Sequence, residues 1–236
     1  MSRTTPQSPR VKPSRIPPLQ NGDHLTREEF ERRYDATPGL KKAELINGVV
    51  YMSPPVAYEW HSQPHVNIAG LLWLYCVRTS GVRSGIDATL RLQDDLSQPD
   101  AFLFLDPTMG GQVKLSEDGY IEGAPEFICE VAASSASYDV HLKLDLYSKA
   151  GVKEYLVWRT YDGEWDLFER RADALLKSPF HSSGQFRSVI FPGLWIDVRS
   201  LLAQQISPAI DVLNMGLASP EHQAFAQQLQ QRSTKP

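Results

Sequence analysis

The stretch 126–158, EFICEVAASSASYDVHLKLDLYSKAGVKEYLVW, constrains the fold more than any other part of the chain. FICEVA and VKEYLVW have the apolar density of strands covered on both faces. Between them, SSASYDVHLKLDLYSKAG carries Ser and Asp start signals, Leu142 and Leu146 one turn apart, and Gly151 as a stop. That pattern predicts a helix of about three turns. One residue breaks the apolar logic, because Glu130 sits in the middle of FICEVA. An isolated carboxylate buried there costs several kcal/mol unless it is paired, protonated or bound to a cation.

The flanking sequence supplies further sheet and helix signals. In LTREEFERRY, Thr26 and Glu29 have capping-box spacing, with Leu25 before the cap and Phe30 and Tyr34 following at helical spacing. AELINGVVYMS alternates around Asn47-Gly48, the dipeptide of a two-residue hairpin turn, and places Glu44 on its first strand. PHVNIAGLLWLYCVRT repeats apolar residues at three and four and reads as a largely buried helix over 64–79. DATLRLQD reads as a half-exposed strand, DDLSQP as a break, PDAFLFLD as a short apolar strand, and GYIEGAP as a loop or hairpin edge. EWDLFERR alternates as a further strand, and FPGLWIDVRSLLA closes the unit with a turn and a short helix. This order predicts an α/β (or α+β) domain, a sheet with helices packed on it, over 23–205. Residues 1–22, basic and rich in Pro and Ser, read as a disordered tail, and 206–236 as a helical, polar, Gln-rich tail.

The 42% hydrophobic content supports a real core, and no run reaches the length of a membrane span. No apolar N-terminal leader is visible, so cytoplasmic residence is the default expectation. Cys76 and Cys129 are far apart and lack zinc-site spacing, which makes both core residues. A net charge of −4 argues against a surface that holds nucleic acid everywhere and leaves room for a local basic groove.

Three acids lie in strand-like apolar sequence: Glu44, Asp100 and Glu130. If the strand after Asp100 pairs with that of Glu130, the two carboxylates can converge on one Mg²⁺ or Mn²⁺, a hard cation that takes oxygen ligands. Such an ion polarises a phosphodiester and acidifies an attacking water. A lysine beside it would be sought two residues after Glu130, on the same strand face, but that residue is Ala132. The next candidate is Lys143, which recurs with Asp139 and Tyr147 every four residues as a polar stripe. Spacing alone equally allows a structural Glu130–Lys143 ion pair, an Asp100 that caps a turn, and a solvent-facing Glu44.

ELINGVVYMSPP, QPDAFLFL, the 126–158 segment and FPGLWID together resemble the Uma-two family, whose members are taken to be endonucleases of the PD-(D/E)xK, restriction-endonuclease-like fold. The resemblance covers about residues 23–205. It implies a mixed sheet flanked by helices, with the family's acids falling on Glu44, Asp100 and Glu130 and its lysine on Lys143, in the helix after the strand. Asp139 and Tyr147 lie in the same matching stretch. Many members follow the strand with Ser-Pro-Ser, where this chain has Ala133 and Ser134, so Ser134 or Ser135 is the expected substitute hydroxyl. His61 and His65 match family histidines ahead of the long helix, but as helix-start residues they are read as caps or hydrogen-bonding groups and kept out of the catalytic set.

The expected function is Mg²⁺-dependent hydrolysis of phosphodiester bonds in DNA, with Asp100 and Glu130 on the metal, Glu44 on a second metal or its water, and Lys143 beside the nucleophile. The alternative is a nucleic-acid- or protein-binding module that keeps the fold without turnover. Cutting both strands of a duplex calls for two sites, which makes a homodimer the natural assembly, although no segment marks an interface.

Overall fold

The computed structural model describes residues 16–233. Helix α1 (Arg27–Asp35) begins as its sequence predicts, with the Glu29 N–H donating to Thr26 Oγ1 at 3.3 Å. Strands β1 (Ala43–Ile46) and β2 (Val49–Met52) form the expected hairpin, with φ of 52° at Asn47 and 73° at Gly48. Both positive angles belong to the turn whose twist matches the strands. A π-helical turn at Tyr58–Ser62 runs into α2 (Gln63–Arg78). Strands β3 (Val82–Ile86), β4 (Leu90–Leu92), β5 (Asp95–Ser97) and β6 (Ala101–Leu105) follow.

The short pair β7 (Lys114–Leu115) and β8 (Ile121–Glu122) leads to β9 (Phe127–Ala132). A second π-helical turn (Tyr138–Lys143) continues as α3 (Leu144–Ala150), stopped by Gly151 at φ 100°, and returns through β10 (Glu154–Arg159). The chain ends with β11 (Glu164–Arg171), β12 (Ala174–Ser178), β13 (Phe186–Arg187), β14 (Trp195–Ile196), α4 (Val198–Leu202), α5 (Ile206–Leu217) and α6 (Pro220–Ser233).

Helices do flank mixed sheets, but among the described residues there are two large sheets, besides the small β13–β14 pair. One has the order β2-β1-β5-β4-β8-β7 and the other β12-β11-β10-β9-β6-β3. The crossover through α3 makes β9 and β10 parallel, whereas β6 and β9 are antiparallel. The chain leaves the first sheet after Ser97 and enters the second at Ala101. Pro99, with no N–H to give a ladder, lies in that transfer. The DDLSQP break is therefore partly strand: β5 pairs with β4 across a turn in which Gln93 takes φ 60°.

Alternation along β9 sorts its side chains between two cores. Phe127, Cys129 and Val131 join a cluster with Ile68, Leu71, Leu72 and Tyr75 of α2. Ile128 and Ala132 pack instead with Leu146 and Tyr147 of α3 and with Ile46 of β1. Glu130 shares the parity of this second set, so it points into the space between the sheets. A third cluster joins Phe30 of α1 to Leu45 and Val50.

Both ends of the chain are more involved than expected. Of the stretch 1–22, residues 1–15 lie outside those described, while Leu19 is buried and the Gly22 N–H donates to the Val50 carbonyl at 2.8 Å. Residues 206–233 are not a tail. Ala209, Leu213 and Leu229 belong to the main core, and Thr79 and His222 are hydrogen-bonded at 2.9 Å. Small and apolar residues three and four apart give α5 a buried stripe, and at Gly216 a Cβ would stand 2.2 Å from the Gly193 carbonyl oxygen. Among the described residues, no helix is long and apolar enough to cross a membrane.

Candidate active site

Glu44 comes from β1, Asp100 from the residue before β6, Glu130 from β9, and Asp139, Lys143 and Tyr147 from the π turn and α3. All six are buried. On β1, Ala43 and Leu45 face α1, so Glu44 and Ile46 face the second sheet. Pairing of β6 with β9, left as a condition by the sequence, brings Asp100 beside Glu130: the Asp100 N–H donates to Glu130 Oε2 at 3.3 Å, and the Val131 N–H to Asp100 Oδ2 at 2.8 Å.

Ala132 lies fully buried on the face where a strand lysine would stand, and Lys143 reaches the same space from the helix. Its Nζ is 2.9 Å from Glu130 Oε1, 3.1 Å from Glu44 Oε1 and 3.8 Å from Asp139 Oδ1. Tyr147 donates to Glu130 Oε1 at 2.8 Å, and its hydroxyl oxygen lies 2.8 Å from Ser97 Oγ. Ser97 Oγ and the Gln98 N–H each donate to Glu44 Oε1 at 2.7 Å. The stripe Asp139–Lys143–Tyr147 thus turns toward the sheets. In a regular α-helix a step of four residues overshoots a full turn by about 40°, so such a stripe drifts round the helix. A π turn takes more residues per revolution, and its undershoot offsets that drift.

Spacing did not point to several of these partners. Lys42 Nζ is 2.9 Å from Asp100 Oδ1, and neither its neighbours nor its spacing marks it out. Ser97 and Gln98 lie in the stretch read as a break, and Tyr138, 3.3 Å from Glu44 Oε2, is one of many aromatics. His61 and His65 both approach Asp100: His61 Nε2 is 3.7 Å from Oδ1, and His65 Nε2 is 2.6 Å from the carbonyl oxygen. Neither caps a helix; the signal that could have found them is their i, i+4 spacing on one helix face. Of the serines, Ser135 donates to Asp139 Oδ2 at 2.6 Å, while Ser134 stands exposed at the rim.

The site opens on a cavity of about 970 Å³ whose wall includes Lys42, Glu44, His61, Asp100, Glu130 and Ser134. Its electrostatics are those of crowded acids. Burial, with Asp100 and Asp139 nearby, pushes the Glu130 carboxyl up to about 8 against the pull of Lys143. Burial likewise raises Asp139 to about 6 despite Lys143 and Ser135. Burial alone would raise Asp100, yet the Lys42 ammonium, His61 and Lys143 hold it well below the carboxylate range. Glu44 also lies low, since Lys143, Lys42 and the hydrogen bonds from Gln98 and Ser97 outweigh its burial. Burial would lower Lys143, but Glu130 and Glu44 hold its ammonium well above the ordinary lysine value, so it stays charged.

Four carboxyls, Glu44, Asp100, Glu130 and Asp139, here face two ammonium groups, Lys42 and Lys143. With all four ionised two formal negative charges are left over, and with Glu130 still protonated one is, so a divalent cation suits the place of that proton. Gln98 adds an uncommitted oxygen, because its Oε1 is buried without a hydrogen-bond partner among the described residues and the residue lines the cavity. Oxygen donors and surplus negative charge together fit Mg²⁺ or Mn²⁺.

Comparison with known proteins agrees with this architecture. Residues 27–199 match the model of the Uma2 family, described as "Putative restriction endonuclease". Among solved structures, the chain resembles a putative nuclease belonging to DUF820 from Anabaena variabilis at 17% identity and a TM-score of 0.53. The match covers 75% of this chain and 99% of that one. At that identity the likeness speaks for the fold. No curated protein matches the sequence. The chain belongs to the Uma2 family.

Proposed function

We propose that this Uma2 family member is a divalent-metal-dependent endonuclease that hydrolyses phosphodiester bonds in DNA, with its lysine carried by the helix after the acidic strand. The observation that carries the reading is the convergence of Asp100 and Glu130 across paired strands, with Lys143 2.9 Å from Glu130 and surplus negative charge on a solvent-reaching cavity. Family membership supports the reaction class.

Asp100 and Glu130 would hold the metal, with Glu44 and Gln98 Oε1 at its side. When bound, Mg²⁺ or Mn²⁺ polarises the scissile phosphate and lowers the pKa of an attacking water. Asp100 is suited to ligation because Lys42 and the Val131 N–H keep it ionised. Lys143 acts as a fixed positive charge toward the developing phosphorane and not as a base, since Glu130 and Glu44 hold its proton. Tyr147 and Ser97 lock the carboxylates to which Lys143 is bonded, so the charge is aimed before substrate arrives. Asp139, bonded to Ser135 and near Lys143, positions the lysine from behind. Ser134, on the cavity wall, would meet the DNA backbone or a water. For duplex cleavage we infer a homodimer acting in the cytoplasm.

The test is metal-dependent nicking of plasmid DNA by wild type, Asp100→Asn and Glu130→Gln. Loss of nicking in both variants, with circular dichroism unchanged, is the expected outcome. Equal nicking by all three refutes the assignment.

A further inference from the structure

We propose that His61, His65 and Asp100, on the wall of the same cavity, form a position for a divalent transition ion such as Mn²⁺ or Co²⁺. One donor atom from each of the three residues lies within 4.8 Å of the others. The inference deepens the nuclease reading, on whose metal dependence it rests, by naming imidazole ligands that the reading leaves out.

Competition among the acids points to this edge. Glu44 Oε1 and Glu130 Oε1 are both taken by Lys143. Asp100 Oδ1, by contrast, faces His61 and the half-buried Lys42. His61 Nδ1 lies 2.9 Å from the Val131 carbonyl oxygen, which can only accept, so Nδ1 carries the hydrogen and Nε2 keeps a free lone pair. A backbone carbonyl holding one ring nitrogen while the other faces a ligand site is the usual support of a metal-bound histidine. His61 Nε2 is 3.7 Å from Asp100 Oδ1. Two ligands on one ion at about 2.0–2.2 Å stand roughly 3–3.5 Å apart, so the pair needs only a small closure.

His65 is four residues on, across the junction of the π turn with α2; its Nε2 gives its hydrogen to the Asp100 carbonyl oxygen at 2.6 Å, so Nδ1 is its nitrogen with a lone pair, and its ring meets that of His61 edge-on at 5.8 Å between centroids. Two histidines at i and i+4 on one helix face are a ready pair of metal ligands. Lys42 holds the place of the cation: its ammonium is 2.9 Å from Asp100 Oδ1 and 3.4 Å from Asp87 Oδ1, so it can retire to Asp87 when an ion enters. Imidazole donors suit later first-row ions such as Co²⁺ or Zn²⁺, and Mn²⁺, which accepts them beside a carboxylate, is the paramagnetic probe; Mg²⁺ prefers an all-oxygen shell.

The test uses the full chain, stripped with chelator and titrated with Mn²⁺ while electron paramagnetic resonance follows binding. Wild type is expected to bind Mn²⁺ with hyperfine coupling from directly bonded nitrogen. His61→Ala should reduce that coupling to one nitrogen and weaken binding by about tenfold or more, His61→Ala with His65→Ala should remove it, and Lys42→Met, which removes the competing charge, should tighten binding severalfold. Bound Mn²⁺ without nitrogen coupling in wild type, or no Mn²⁺ bound, overturns the proposal whatever the variants do. The nuclease reading fails separately: nitrogen-coupled Mn²⁺ with no nicking keeps this site and removes that reaction, and nicking without nitrogen coupling does the reverse.

Discussion

Replacing Lys143 by Met tests how the buried acids are held. The side chain is about isosteric but takes away the ammonium that stands 2.9 Å from Glu130 and 3.1 Å from Glu44. The remaining cation, Lys42, is bonded to Asp100 and Asp87. Removing one partner of a buried pair costs about 3–5 kcal/mol, because the other charge is left behind. In a chain of this size that lowers Tm by roughly 6–20 °C. The loss depends on pH with a definite sign. Without the ammonium, the folded-state pKa values of Glu130 and Asp139 move further above their unfolded values, and that of Glu44, held low in the wild type, moves up as well. Groups raised in this way keep their contribution below the unfolded pKa and lose it as pH rises through the folded one.

The Lys143→Met deficit should therefore grow from pH 5, where Glu130 and Asp139 hold protons in both proteins, to pH 8, where Asp139 is ionised in the wild type and Glu130 is beginning to be. Urea unfolding followed by tryptophan fluorescence at the two pH values measures it. Repeating the pair in a Glu130→Gln background should give a smaller deficit, since one of the stranded charges is gone. A cost below about 1 kcal/mol near pH 8, or one that does not change with pH, would refute the view that Lys143 is the counter-charge of this cluster.

Two further outcomes test the frame around the site. Glu154, bonded to Ser188 and the Val189 N–H, is pushed up to about 7 by burial, against an ordinary value of 4.5. Its contribution is complete below about pH 4.5 and disappears as pH rises through 7, a change of about 3 kcal/mol that Glu154→Gln should abolish in urea midpoints measured across that window. Gly216→Ala would set a Cβ against the Gly193 carbonyl and the Trp195 ring, and should cost about 1–3 kcal/mol by the same assay. A neutral result there would mean that α5 is not packed as a fixed part of the core.

What the sequence made legible followed from local periodicity. The parity of FICEVA is enough to put Glu130 among buried neighbours, and Asn47-Gly48 announces its turn. The stripe of Asp139, Lys143 and Tyr147 could be read, but its direction could not, because that depends on how α3 is rolled on the sheets. Strand β5 was hidden because its turn uses Gln93, a residue with no special liking for positive φ. Lys42 and Ser97 gave no signal because their partners are 58 and 53 residues away in sequence. The α5 helix looked peripheral because its buried stripe includes Ala209 and Gly216, whose smallness lets the helix approach closely without raising the apolar count.

Both helices that deliver side chains to the cavity contain a π turn at their entrance, Tyr58–Ser62 before α2 and Tyr138–Lys143 before α3. A π turn of this kind amounts to one residue inserted into a helix whose remainder keeps its seat. Single-residue insertion or deletion at these two places therefore acts as a phase adjustment: it re-aims His61, or Asp139 and Ser135, while Leu71, Leu72 and Leu146 stay in their cores. Related chains can on this basis share the fold and the acidic strand and still differ in chemistry through nothing more than the length of two short segments. When they are aligned, a gap there should be read as a change in the site.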